Sequence, residues 1–176
     1  YKLGGKVIIL GVANVWSNEK GLNDFIRLSK LLNPDFVIIL VGVSKQQQKK
    51  IPNNIVCMER ITSQQKLAEI YSCADLYLNL TLEDSYPTTN LEAIACGTPV
   101  CAFDSGGVKD IVLDKKTGYL AQKKNFIDLA NGINWILNKA NKIEMQKNCR
   151  KHVIDHFSYS VISNQYKDVY ERALYK

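Results

Sequence analysis

Apolar runs of strand length alternate along the chain with segments in which apolar residues recur at helical spacing. That alternation predicts a parallel sheet with helical crossovers. Val7 to Leu10 is the first run and ends at Gly11; from Lys20 to Leu32, residues Leu22, Phe25, Ile26, Leu28 and Leu32 repeat with helical period. Phe36 to Val41 predicts a second strand, buried on both faces because no polar residue interrupts it, with Gly42 as its stop. Ile55 to Cys57 is a short third strand. Ser63 is placed to cap a helix that carries Leu67, Ile70 and Tyr71 and ends near Cys73. Asp75 to Leu80 follows as a strand, then Leu91 to Cys96 belong to a helix closed by Gly97, with a strand at Val100 to Phe103 and another at Gly118 to Ala121. Beyond it the pattern is helical: Phe126 to Asn138, Ile143 to His156, and about Val161 to Leu174. No internal repeat occurs, and the one biased tract, Lys45 to Lys50, is too short to be a linker. The expected fold class is α/β, a Rossmann-like doubly wound parallel sheet of about six strands flanked by helices, with 1–176 forming a single domain. Ligands of such sheets bind beyond the carboxyl ends of the strands, at the switch point.

Composition narrows this reading without changing it. Of 176 residues, 46% are hydrophobic and 23% charged, the balance of an ordinary globular domain rather than of a disordered chain. The longest apolar run, Phe36 to Val43, is far too short to span a membrane. Lys and Arg number 23 against 17 Asp and Glu, a net charge of +6 that suits an anionic partner. The basic residues are dispersed and lack interleaved aromatics, so a nucleic-acid platform is not expected. The five cysteines form no Cys-x-x-Cys pair and read as buried free thiols of a reducing compartment. His152 and His156, four apart without a metalloprotease carboxylate between them, read as a basic helix face. The chain opens on Tyr1 rather than Met, which reads as a fragment or a processed piece.

Three common signatures are missing. After the first strand, Gly11 is followed by Val12-Ala13-Asn14-Val15-Trp16, so no dinucleotide glycine fingerprint follows; a P-loop and a nucleophile elbow are likewise absent. The informative stretch is Thr81 to Asp110, TLEDSYPTTNLEAIACGTPVCAFDSGGVKD. It puts Glu83, Asp84 and Glu92 around a strand-to-helix turn, with Pro87 suited to the first helical turn, where its missing N–H is harmless. The N–H groups around Thr89 to Leu91 are then expected to point out unpaired, an anion seat that needs no metal. Glu92 lies one turn in, placed to accept from vicinal hydroxyls such as a ribose presents. Each residue alone reads better as part of an ordinary helix cap; the string together points to a nucleotide sugar.

The string resembles the donor-sugar domain of GT-B retaining glycosyltransferases, the large group 1 family typified by bacterial polysaccharide and lipid glycosyltransferases. That family carries two acidic residues with seven between them, then L-E-A-x-A-x-G-x-P-V and a Gly-Gly loop. Here Asp84 and Glu92 have that spacing, Leu91 to Val100 supply the second element, and Asp104 to Val112 contain Gly106-Gly107. Glu19 to Leu22 resembles the family's Lys-Gly helix start, and Leu40 to Gly42 the end of its second strand. Arg60 to Ser63 and Tyr71 to Asp75 are similar to the segment before the fourth strand, and His156 to Tyr170 to its closing helix.

The resemblance implies roles for individual residues. Lys20 neutralises the donor diphosphate. Thr89, with the N–H groups of Asn90 and Leu91, holds the distal phosphate. Glu92 binds the ribose, Asp84 and the Ser85-Tyr86-Pro87 turn face the transferred sugar, and groups near Arg60 and Ile61 read the base. Lys20, Asp84 and Glu92 are therefore the candidate catalytic residues; Thr88, Gly11 and Gly42 complete the donor-binding set. No metal ligand and no cofactor beyond the nucleotide-sugar substrate is expected. Partners implied are that nucleotide-sugar and an N-terminal acceptor domain of the same polypeptide, toward which 141–176 pack back; nucleic acid is not among them. The setting implied is the cytoplasm, at the inner face of a bacterial membrane, in capsular or other polysaccharide assembly. The sequence departs from the family in three places: Asp84 stands for the commoner Glu, Asn14 and Val15 occupy the positions of a diphosphate-binding Arg, and Pro87 replaces a Gly. A sugar-nucleotide epimerase of the same architecture, and a non-catalytic interaction module that has kept the fold but lost donor binding, are the rival readings.

Overall fold

The computed structural model describes residues 3–32 and 34–174. Six strands form one parallel sheet in the order β3-β2-β1-β4-β5-β6: β1 Val7–Val12, β2 Phe36–Val41, β3 Ile55–Met58, β4 Leu76–Asn79, β5 Val100–Phe103 and β6 Gly118–Ala121. The order reverses between β1 and β4, so the loops leaving these two strands diverge and open a crevice. β1 pairs with β2 from Val7↔Phe36 to Val12↔Val41, and with β4 at Ile9↔Leu76 and Leu10↔Tyr77.

Gly11 does not end β1. It pairs with Leu40, and a Cβ there would stand 2.8 Å from Phe25 and 3.0 Å from Trp16. Glycine keeps the strand running beneath these two rings, which meet edge-on at 5.4 Å, while Trp16 Nε1 donates to Val41 O at 2.9 Å.

The eight helices are α1 Leu22–Ser29, α2 Lys45–Gln48, α3 Gln64–Cys73, α4 Thr88–Ala95, α5 Val108–Ile111, α6 Phe126–Asn134, α7 Lys142–Phe157 and α8 Tyr159–Leu174, counted among the described residues. α1 is shorter than its periodicity suggests, because Gly21 is left-handed at its start and the N–H groups of Lys30 and Leu31 fall back to i−3 carbonyls at its end. The Lys/Gln tract is not a featureless loop. Ser44 and Gln47 cap each other across one helical turn, and Gln47 Nε2 reaches Trp16 O at 2.7 Å. α3 is capped by Ser63, as expected. α6 gives way at Trp135 to a π-helical turn over Trp135–Lys139, so the expected continuous helix to Asn138 changes its hydrogen-bond register near its end.

α7 buries Met145, Cys149 and His152. All five cysteines are free; Cys101 and Cys149 are buried, with the Cys149 thiol pushed up to about 12 by burial, but Cys73 is exposed. His152 departs from the basic-face expectation. It is 9% exposed, its Nε2 lies 3.1 Å from Ile111 O, and its ring stands 4.8 Å from that of His156. Burial first, and the neighbouring His156 second, hold its pKa below the ordinary value. The unfolded chain therefore takes up a proton near pH 6.5 that the folded chain resists, so stability falls as pH drops below about 6.5. Denaturant midpoints measured from pH 7.5 to 5 should decline, and the decline should flatten in His152→Gln; an equal slope in both proteins would assign it to other groups.

Candidate functional site

A cavity of about 350 Å³ lies at the switch point, between the loops that follow β1 and β4. Val12 to Trp16 form one wall, Asn79 to Thr81 the floor, and Asp84 with Tyr86 to Thr89 the other wall, while Lys20 reaches in from the start of α1. This size is within the range of small-molecule sites.

Lys20 is placed by the glycine after it. Gly21 has φ +80°, and a Cβ on it would stand 2.4 Å from Leu80 Cβ, so only glycine lets the chain approach the end of β4 this closely. The result sets Lys20 Nζ 3.0 Å from Asp84 Oδ2. The other carboxylate oxygen, Asp84 Oδ1, accepts from Tyr86 N at 3.2 Å, which fixes the turn that follows. Glu83 points elsewhere: its side chain is 86% exposed and pairs with Lys123 at 3.1 Å. Asp84 is thus the acidic residue that faces the cavity. The Gly-Gly loop closes against this turn from behind. Gly107 N donates to Asp84 O at 3.1 Å, and a Cβ on Gly106 or Gly107 would come within 2.1 Å of Asp84 O or 2.0 Å of Ser85 O.

α4 begins at Thr88, near the start expected from Pro87 and the two threonines, with Pro87 as its cap rather than its first helical residue. Proline offers no capping side chain, and among the described residues the N–H groups of Thr88 and Thr89 have no protein acceptor. Asn90 corrects the expectation, because its N–H is already donated to Pro87 O at 3.0 Å. The open donors therefore begin one residue earlier than the sequence suggested, at Thr88, and include the expected Thr89. The Asn90 side chain is fully buried and accepts from Asn79 Nδ2 at 2.8 Å, while Asn79 Oδ1 accepts from Thr81 N. It ties β4 to α4 and does not face the cavity. Leu91 packs against the core.

Thr89 lines the cavity and its hydroxyl contacts that of Tyr77, which donates to Val12 O at 3.3 Å. Burial raises the Tyr77 phenol well above its ordinary range, so it stays a neutral donor. Glu92 lies one turn along α4 on the same face as Thr89, exposed and outside the cavity lining, with Oε2 3.0 Å from Tyr71 Oη. Ser85 contributes backbone rather than a cavity wall. Gly11 and Gly42 serve packing: neither lines the cavity, but Gly42 holds the turn beside Ala13, which does. Arg60 and Ile61 follow β3, two strands from the switch point, and lie outside the cavity. Tyr71, Tyr77 and Asn79 were not singled out from the sequence as parts of the site. Their only sequence signal is an aromatic or polar residue within an apolar run, which burial alone explains equally well. No group of three His, Cys, Asp or Glu suited to a metal occurs among the described residues.

Residues 2–155 match the family model described as Glycosyl transferases group 1. The chain belongs to that family. The alpha-maltose-1-phosphate synthase of Mycolicibacterium smegmatis is 23% identical over 89% of this chain and 46% of its own length. The alpha-1,3/1,6-mannosyltransferase of Dictyostelium discoideum is 32% identical over 65% of this chain and 27% of its own. Among solved structures, the sucrose-phosphate synthase of Thermosynechococcus elongatus superposes with a TM-score of 0.81 at 25% identity, over 96% of this chain and 46% of that one. Anabaena HepE in complex with UDP gives 0.83 at 19% identity, over 97% and 50%. The group 1 chain thus has the Rossmann-like fold of the C-terminal domain of a GT-B glycosyltransferase. It spans less than half the length of these curated relatives. No helix among its described residues is long and apolar enough to cross a membrane.

Proposed function

We propose that this group 1 chain is the donor-binding half of a retaining, metal-independent glycosyltransferase that moves a sugar from a UDP- or GDP-sugar to a polysaccharide or lipid-linked acceptor. The observation that carries the reading is the convergence, in one switch-point cavity, of Lys20, Asp84 and the open N–H groups of Thr88 and Thr89. An ammonium and a helix start on one side suit a diphosphate, and a carboxylate beside them suits sugar hydroxyls. The chemistry demanded is departure of a nucleoside diphosphate with its negative charge. Donors fixed in place before that charge develops lower the barrier without reorganising. In this arrangement Lys20 leaves Asp84 for the phosphates, Thr88 and Thr89 hold the distal phosphate, and Asp84 turns to the sugar. Glu92, displaced along α4, takes the ribose. Complexes of HepE with UDP and with UDP-glucose support a nucleotide-sugar as ligand class. Retention and the absence of a metal rest on the family resemblance.

The acceptor side would come from an N-terminal domain of the same polypeptide. α8 suits that contact: it buries no residue and leaves Tyr159, Tyr166, Val169, Tyr170 and Leu174 exposed. The chain alone should bind a nucleotide and turn nothing over, and the whole enzyme should work on the cytoplasmic face of a membrane, in bacterial capsular or other polysaccharide assembly. Calorimetric titration of the chain with UDP, GDP and ADP, each with Mg2+ and with EDTA, tests the reading. One nucleotide should bind saturably with the same Kd in both buffers. A Kd that collapses in EDTA would remove the metal-free mechanism, and no saturable heat from any of the three would remove the donor site.

A further inference from the structure

α3 and α4 lie side by side, and Tyr71 joins them. Its ring is 1% exposed and stands edge-on to Tyr77 with centroids 5.5 Å apart; its carbonyl accepts from Thr98 Oγ1 at 2.6 Å. The phenol can therefore neither swing out nor follow a moving partner. Its hydroxyl donates to Glu92 Oε2 at 3.0 Å, although Glu92 itself is solvent-exposed. An exposed glutamate in mid-helix ordinarily samples several rotamers and loses that freedom on binding a ligand. Here one oxygen is held from below by a rigid donor, on the α4 face that also carries Thr89.

We propose that Tyr71 is a positioning residue that fixes the Glu92 carboxylate for a vicinal diol, an inference that rests on the reading of Glu92 as the ribose acceptor. The chemistry fits the geometry. Two neighbouring hydroxyls donate best to the two oxygens of one carboxylate. With Tyr71 on Oε2, that oxygen keeps one acceptor site and Oε1 keeps both. Fixing the carboxylate during folding removes the ordering cost from the binding step. Burial first, then the electrostatic influence of the neighbouring Tyr77 and of the Glu92 carboxylate it donates to, keep the Tyr71 phenol protonated far above its ordinary range, so the donor is present at every working pH.

Tyr71→Phe removes only the hydroxyl and leaves both the ring contact and the backbone bond from Thr98. The test measures side-chain couplings of Glu92 by NMR in the ligand-free chain, and Kd for UDP and for 2′,3′-dideoxy-UDP, in wild type, Tyr71→Phe, Glu92→Ala and the double variant. Wild-type Glu92 should show one dominant rotamer and Tyr71→Phe an average. UDP should weaken about tenfold in Tyr71→Phe, as for one hydrogen bond to a charged group. Dideoxy-UDP should not change, and Tyr71→Phe should add nothing in the Glu92→Ala background. Equal weakening of both nucleotides would make Tyr71 a structural residue and overturn the proposal, as would unchanged Glu92 couplings. If wild type binds the two nucleotides equally while Glu92 stays held, the ribose reading falls and takes the proposal with it.

Discussion

Alanine in place of Gly42 is expected to destabilise the chain by about 3 kcal/mol or more, the range of changes that place an atom inside a packed backbone. Gly42 has φ +92°, and a Cβ there would lie 1.7 Å from Ala13 O and 3.0 Å from Ala13 C. The left-handed backbone alone costs a non-glycine residue about 1–2 kcal/mol. The overlap adds more, because the atom struck is main chain and moves only with the loop behind β1. That loop also carries Ala13, Asn14 and Val15 of the cavity wall, so nucleotide binding should fall with stability. Gly4→Ala is the matched control, since nothing lies within 4 Å of a Cβ at that position. Chemical denaturation of both variants decides the matter. A Gly42→Ala midpoint equal to that of Gly4→Ala would show that the close approach to Ala13 is not a feature of the folded chain.

Lys20→Met should separate stability from binding. The Lys20–Asp84 pair is partly solvated, with Lys20 41% and Asp84 22% exposed, so its loss should change stability by less than about 1 kcal/mol. Affinity for a nucleoside diphosphate should nevertheless fall by roughly ten- to a hundredfold, the worth of one ammonium contact to a phosphate at about 1.5–3 kcal/mol. Uridine, which lacks the phosphates, should bind wild type and variant alike. The comparison of UDP with uridine is therefore the readout; an equal loss for both would place Lys20 in the packing of the site rather than on the diphosphate.

The sheet was legible because a strand buried on both faces must be apolar throughout. β2, β5 and β6 have the bounds their sequence predicts, at Phe36–Val41 with Gly42 as the stop, Val100–Phe103 and Gly118–Ala121. Helix starts were less legible, because they depend on distant partners. α1 starts only after a left-handed Gly21, and the neighbour that leaves no room for a Cβ there is Leu80, which is far away in sequence. At α4, Pro87 caps without a side chain; its carbonyl takes the N–H of Asn90, and those of Thr88 and Thr89 stay open. Within the site, Asp84 and Glu83 are neighbours with the same charge; the sequence separates them only by the spacing to Glu92, and the ion pairs with Lys20 and Lys123 show which of them faces the cavity. Tyr71 and His152 were hidden for a related reason. A helical period shows which residues are buried, not which buried residue presents a polar atom to a functional side chain.

The switch-point cavity, and the start of α4 in particular, is the proposed seat of a nucleoside diphosphate. Backbone amide shifts of the chain during a UDP titration report on that seat residue by residue. Saturable shifts should be largest at Thr88 and Thr89, strong at Lys20 and Tyr86, and absent from α8. Saturable shifts confined to another face of the sheet, with Thr88 and Thr89 unmoved at full occupancy, would contradict it.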